Sequence, residues 1–173
     1  KTQDIEGIIP TICHSTHLNR SGEKQKAHIY QTLCTQNLCK YVTETDFQPL
    51  EERLQIMLRI CQVVATLHAK NIIHRDLKPE NILLDENKLP FIADLGLSCT
   101  IKANDPRRTR ACGTLGYIPP EIYRSIFSEA KTILANDTPF DIWSLGIIFA
   151  QMFDEELDDY FCAKMLTILN STH

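Results

Sequence analysis

The spacing of apolar residues changes several times along the 173-residue chain, and each change predicts a different element. Residues 5 to 13 and 27 to 34 are short runs with several β-branched side chains, which predicts two strands. The stretch between them carries a glycine, lysines and other polar residues, so the pair should close as a hairpin whose surface loop holds His14 and His17. From Pro49 to about Lys70, Leu54, Met57, Leu58, Cys61, Val64 and Ala65 recur at three and four residues, the period of an amphipathic helix. Pro49 suits its first turn, with Glu51 and Glu52 near the positive end of the helix dipole.

A second hairpin is predicted from Ile82-Leu83-Leu84, the turn Asp85-Glu86-Asn87-Lys88, and Phe91-Ile92-Ala93. Asn81 precedes its first strand and Asp94 follows its second, so closing the hairpin brings both side chains to one end. Two oxygen ligands there suit a hard cation such as Mg²⁺. Residues 95 to 116 have little periodicity and contain Arg107, Arg108, Arg110, three threonines, Gly113 and Gly116, which predicts a long exposed loop. Beyond Pro139, the residues Phe140, Ile142, Trp143, Leu145, Ile147 and Ile148 leave almost no polar face, so this helix should be buried. Asp141 lies inside it, and a buried carboxylate needs hydrogen-bond donors, here expected from the backbone of another segment. Leu157, Phe161, Met165 and Ile168 repeat at helical spacing before the chain stops.

Composition changes this picture little. With 43% apolar and 23% charged residues the chain is of ordinary globular type, and a net charge of -4 gives no electrostatic case for nucleic acid or an anionic membrane surface. No apolar run approaches the roughly 20 residues that cross a bilayer, so the expectation is an intracellular (cytoplasmic) segment with no membrane partner. Seven cysteines without a Cys-x-x-Cys pair are expected to be reduced thiols, and His14 and His17 lack the acidic or thiol neighbours of a metal site.

The crowding of chemistry in His74-Arg75-Asp76-Leu77-Lys78-Pro79-Glu80-Asn81 comes with four later motifs: Asp94-Leu95-Gly96, Gly113-Thr114, Pro119-Pro120-Glu121, and Asp141-Ile142-Trp143-Ser144-Leu145-Gly146. Together, in this order, they resemble the eukaryotic-type protein kinase family, serine/threonine branch. The resemblance implies an α+β, protein kinase-like fold: residues 1–42 as a partial N-terminal lobe of two strands and a hinge, and residues 43–173 as a partial helical C-terminal lobe with the catalytic and activation loops. It also implies transfer of the ATP γ-phosphoryl group to serine or threonine hydroxyls of a protein substrate. Asp76 would take or orient the hydroxyl proton, and Lys78 would place positive charge near the transferred phosphate. Asn81 and Asp94 would hold Mg²⁺ and contact ATP. Thr32, Leu33 and Cys34 would be the hinge beside adenine, with Gln31 as gatekeeper. Arg75 would pair with a phosphorylated activation loop at Thr109, or at Thr100 as second choice. Thr114 would belong to the substrate-facing loop, and His74, Glu121 and Asp141 would be structural.

The chain also departs from the family pattern. Leu95 stands where phenylalanine is usual and Pro119 where alanine is usual. No Gly-x-Gly-x-x-Gly loop, strand lysine or helix glutamate occurs, and no arginine follows Arg124 to pair with Glu121. The chain therefore reads as an internal fragment of a kinase domain whose missing N- and C-terminal segments lie in the parent protein. The alternative reading is a truncated or pseudokinase-like scaffold or binding module without phosphotransfer.

Overall fold

The computed structural model describes residues 5–18, 21–22, 24–44, 49–101, 112–127 and 138–153. Its strands are β1 (Thr11–Leu18), β2 (Lys24–Gln31), β3 (Gln36–Asn37), β4 (Ile72–Ile73), β5 (Ile82–Leu84), β6 (Pro90–Ile92) and β7 (Cys99–Thr100). Its helices are α1 (Leu38–Glu44), α2 (Leu50–Ala69), α3 (Pro120–Phe127) and α4 (Pro139–Phe153), with 3-10 turns at Pro79–Asn81 and Leu95–Leu97. The strands form three small antiparallel sheets, β1-β2, β3-β5-β6 and β4-β7, so the fold is of the α+β class.

The main core joins α1, α2, β5, β6 and α4 through Leu38, Tyr41, Ile60, Leu67, Ile82, Ile92 and Ile148. A second cluster, Ile73, Cys99, Ile118, Ile122 and Phe140, packs the segment before α3 against β4, β7 and the start of α4. Arg53 locks the two long helices together: its Nη1 donates to the Met152 carbonyl at 2.9 Å and its guanidinium lies 5.0 Å from the centre of the Phe153 ring. That bond satisfies a carbonyl near the end of α4.

The first hairpin is displaced from its expected position. The strands take in His14 and His17, and residues 5 to 10 are not a strand. Ile5, Gly7, Ile8 and Ile9 are buried instead as a connection laid along β6, with Ile9 N bonded to Ile92 O at 2.9 Å and Ile92 N to Gly7 O at 2.8 Å. Gly7 has φ +87°, and a β-carbon there would overlap the Val63 side chain of α2, so glycine alone permits this close approach. The apolar run reflected burial rather than pleating. The true strands are polar, and among their described residues even Ile12, Ile29 and Tyr30 are exposed, at 70%, 67% and 52%.

Helix α2 spans the expected residues, but its buried stripe is Ile56, Ile60, Val63, Val64 and Leu67. Leu54, Leu58, Cys61 and Ala65 face outward and Met57 is half-buried; only Val64 of the expected stripe is in the core. Two apolar stripes run along this helix, and the β-branched one was chosen by contact with β4, β6 and α4. The expected exposed loop from 95 to 116 contains a strand, β7, paired with β4, and at its end Gly116 is buried, as are Tyr117, Ile118 and Pro119 after it. Residues 102–111, including Thr109 and the loop arginines, lie outside the described residues, as do Leu157, Phe161, Met165 and Ile168. Nor is α4 buried all round: Ile142 is 56% exposed and lines an apolar cavity of about 630 Å³ with Trp143, Ile147, Pro139 and Glu121.

Candidate active site

The segment from His74 to Asn81 leaves β4 and ends in the 3-10 turn that feeds β5. Its shape is imposed from α4. The Asp141 carboxylate, with no exposed surface, accepts the backbone N–H of His74 at 2.9 Å through Oδ2 and that of Arg75 at 2.9 Å through Oδ1. Arg75 adopts φ +66°, an unfavourable left-handed conformation for an arginine, which these bonds hold. Its Nε donates to the Leu97 carbonyl at 2.7 Å. Leu77 plugs the loop into the core, and Lys78, preceding a proline, is extended with φ -158° and ψ 161°.

Asp76 is consequently fixed. The Asn81 amide donates to the Asp76 carbonyl at 2.8 Å and to its carboxylate Oδ2 at 3.2 Å. On the other side, the Thr114 hydroxyl donates to Asp76 Oδ1 at 2.7 Å and accepts from Lys78 Nζ at 2.9 Å, while the ammonium lies 3.6 Å from Asp76 Oδ2. Gly113, at φ +111°, lets Thr114 come this close, since a β-carbon on residue 113 would meet the Arg75 carbonyl at 2.9 Å. A carboxylate, an ammonium and a hydroxyl thus converge on one point.

Ala93 N donates to the Asn81 carbonyl at 2.8 Å, which sets Asp94 beside Asn81 at the end of the β5-β6 hairpin. Asp94 is exposed and left-handed at φ +57°, with Oδ1 accepting from Gly96 N at 3.1 Å. Aspartate tolerates this region better than most residues because its short polar side chain bonds locally. Among the described residues no three His, Cys, Asp or Glu side chains gather at one point. A cation here would have few protein ligands, the usual situation for Mg²⁺ on a phosphate substrate.

His74 is buried, and its neutral form fits its contacts: Nε2 lies 2.9 Å from the Ala93 carbonyl and Nδ1 accepts from Asp76 N at 3.3 Å. Burial pushes its pKa down from 6.5, against the weaker opposing pull of Asp141. With the folded pKa depressed, the unfolded state binds more protons below pH 6.5. Stability contributed by His74 is therefore present above that pH and is lost as pH falls toward the folded pKa, at up to about 1.4 kcal/mol per pH unit. Urea unfolding at stepped pH should show a loss of stability below pH 6.5 that is shallower in His74→Phe than in the wild type.

Thr32 follows β2, and its N–H donates to the Pro10 carbonyl at 3.2 Å; Leu33 is 93% exposed. Cys34 is half-buried, its thiol pushed up by burial and then by Asp85, so it stays protonated near neutral pH. Thr35 anchors the far side of this linker, N–H and hydroxyl both donating to the Leu84 carbonyl at 2.9 and 3.0 Å. Thr100 is half-buried in β7 opposite Ile72, and Glu121 is exposed in the first turn of α3. One participant was not visible in the sequence. His68, in the last turn of α2, places Nε2 2.8 Å from Asp141 Oδ2. Nothing in the local pattern marks it, because its partner is 73 residues away.

The chain belongs to the eukaryotic-type protein kinases: the family model described as protein kinase domain matches residues 8–162. The liver/testis isoform of the phosphorylase b kinase gamma catalytic chain of Mus musculus is 40% identical over 111 residues, covering 64% of this chain and 27% of that protein. The membrane-associated tyrosine- and threonine-specific cdc2-inhibitory kinase wee-1.3 of Caenorhabditis elegans is 33% identical over 95% of this chain and 25% of its own length. A probable serine/threonine-protein kinase of Encephalitozoon cuniculi is 32% identical over 95% of the chain and 31% of its own. The chain thus spans about a third or less of the relatives it matches. Protein kinases generally use ATP and Mg²⁺ and act on protein substrates. Among the described residues no helix is long and apolar enough to cross a membrane.

Proposed function

We propose that the whole protein transfers the γ-phosphoryl group of ATP to serine or threonine hydroxyls of protein substrates. The observation that carries this reading is the Thr114 hydroxyl held between Asp76 Oδ1 at 2.7 Å and Lys78 Nζ at 2.9 Å. The chain's own alcohol, bonded to both groups, supports a role for the pair in orienting a hydroxyl with a cation beside its oxygen. An incoming serine or threonine needs both.

In this reading Asp76 orients the acceptor hydroxyl and takes its proton. Lys78 balances negative charge that develops near the acceptor oxygen. Asn81, through its two bonds to Asp76, keeps the carboxylate aimed. Its side-chain carbonyl remains as an acceptor and, with the exposed Asp94 carboxylate, fits the few-ligand oxygen site that Mg²⁺ takes. When bound, Mg-ATP supplies the phosphoryl group and a cation that neutralises it. The linker of Thr32, Leu33 and Cys34 would hold the adenine, with Gln31 at the end of β2 as gatekeeper. Phosphorylation at Thr109, with Arg75 as partner, belongs to the same reading; Thr100, in the β4-β7 ladder, is the second site.

The test is incorporation of label from γ-labelled ATP into a protein or peptide library by the whole protein with Mg²⁺, compared with Asp94→Asn. The expected result is labelled serine and threonine, reduced about 100-fold in the variant because the cation is worth several kcal/mol to the transition state. Labelling no higher than in Asp94→Asn would overturn the reading in favour of a binding module. Label confined to tyrosine would overturn the hydroxyl specificity.

A further inference from the structure

Thr114 offers its hydroxyl to the two groups that the proposed function reserves for an acceptor. A threonine hydroxyl carries one proton and two lone pairs. The proton is directed to Asp76 Oδ1 at 2.7 Å and one lone pair takes an N–H of Lys78 at 2.9 Å, so one lone pair is left for a phosphorus atom. The residue is half-buried, and Leu115 beside it is 55% exposed, so this side of the loop is open.

The backbone keeps the hydroxyl there from both sides. Gly113 lies against the Arg75 carbonyl, and Tyr117 N donates to the Thr114 carbonyl at 3.1 Å, closing a turn in which Gly116 takes φ +96°. Tyr117 is buried, and its carbonyl accepts the Ser144 hydroxyl of α4 at 2.9 Å. The hydroxyl is thus delivered by an anchored turn, and a reactant already in place needs no encounter with a second molecule. A phosphate on it would bring a charge of about -1.5 to -2 against the Asp76 carboxylate. Both anions would compete for Lys78, now 3.6 Å from Asp76 Oδ2, and the place of an incoming hydroxyl would be filled.

We propose that Thr114 is a self-modification site: within one molecule the whole protein transfers the γ-phosphoryl group of ATP to Thr114 Oγ1, and the product switches off transfer to other proteins. In this step the bond from Oγ1 to phosphorus forms and the bond from the γ-phosphorus to the β–γ bridging oxygen breaks. The hydroxyl proton goes to Asp76 and ADP leaves. The inference rests on the proposed function, whose ATP and base it uses. In the test, the whole protein is treated with a phosphatase, freed of it, and incubated with Mg-ATP at two concentrations about tenfold apart. Phosphate at residue 114 is followed by mass spectrometry, and transfer to an added peptide library is assayed in the same samples. Phosphothreonine at 114 should accumulate with a first-order rate constant that agrees within about twofold between the concentrations, while transfer to the library falls in proportion. Thr114→Ser, which keeps the hydroxyl, should behave likewise, and Thr114→Val, whatever its starting rate, should show no such decline. An Asp76→Asn copy mixed with wild type should gain no phosphate at residue 114. Three results overturn the inference and leave the proposed function standing: transfer to the library by a wild type whose Thr114 stays unmodified, phosphate on Thr114 of the Asp76→Asn copy, or undiminished transfer by the phosphorylated protein. A wild type that labels neither Thr114 nor the library defeats the proposed function, and this inference with it.

Discussion

Asp76→Asn in the whole protein is expected to lower kcat for phosphotransfer by roughly 10³-fold while leaving the KM for ATP within about twofold. The substitution keeps the volume of the side chain, and the Asn81 bond to the residue 76 carbonyl at 2.8 Å does not involve the carboxylate. What is lost is chemical. An amide cannot take the proton of the hydroxyl that now sits 2.7 Å from Oδ1, and it no longer balances the Lys78 ammonium 3.6 Å from Oδ2. A general base contributes about 10² to 10⁴ in rate, and the loss should fall on kcat because ATP binding is assigned to other residues. Steady-state kinetics at saturating Mg-ATP decide it: a kcat within about threefold of wild type would remove Asp76 from the role.

The largest expected effect on stability is at Asp141. Asp141→Ala removes the acceptor of two buried backbone amides and of His68, leaving donors in an interior that water does not reach. Breaking a buried, hydrogen-bonded charged group in this way costs about 3 to 5 kcal/mol. Relief of the left-handed Arg75 backbone offsets a small part of this loss. Asp141→Asn retains one acceptor oxygen but turns an NH₂ group toward a donor, so its cost should be intermediate, about 2 kcal/mol. Urea unfolding of the whole protein measures both. A change below about 1 kcal/mol for Asp141→Ala would mean that water or a shifted side chain replaces the carboxylate.

The motifs that identified the family were legible because they are short and contiguous. Asp76, Lys78 and Asn81 fall within six positions, and Pro79 limits the backbone between them, so their proximity hardly depends on the rest of the fold. The hairpin that carries Asn81 before it and Asp94 after it is legible because the turn between its strands is made of turn-forming residues. The hairpin at the N-terminal side lies downstream of the apolar run because residues 5 to 9 are a buried connection, whereas the described side chains of the real strands are exposed or half-buried. In α2, two apolar stripes compete and only contact with other elements selects one.

By itself, then, the sequence determined the family, the order of the chemical groups, the limits of the long helix and the second hairpin. These depend on local geometry: helical period, turn chemistry and proline's fixed φ act over a few residues. Only the tertiary structure decided which face of α2 is buried, that Gly113 admits Thr114 to Asp76 and Lys78, and that His68 and Asp141 restrain the strained backbone before Asp76. These depend on groups far apart in the chain, 38 residues from Thr114 to Asp76 and 73 from His68 to Asp141, whose meeting no local period encodes.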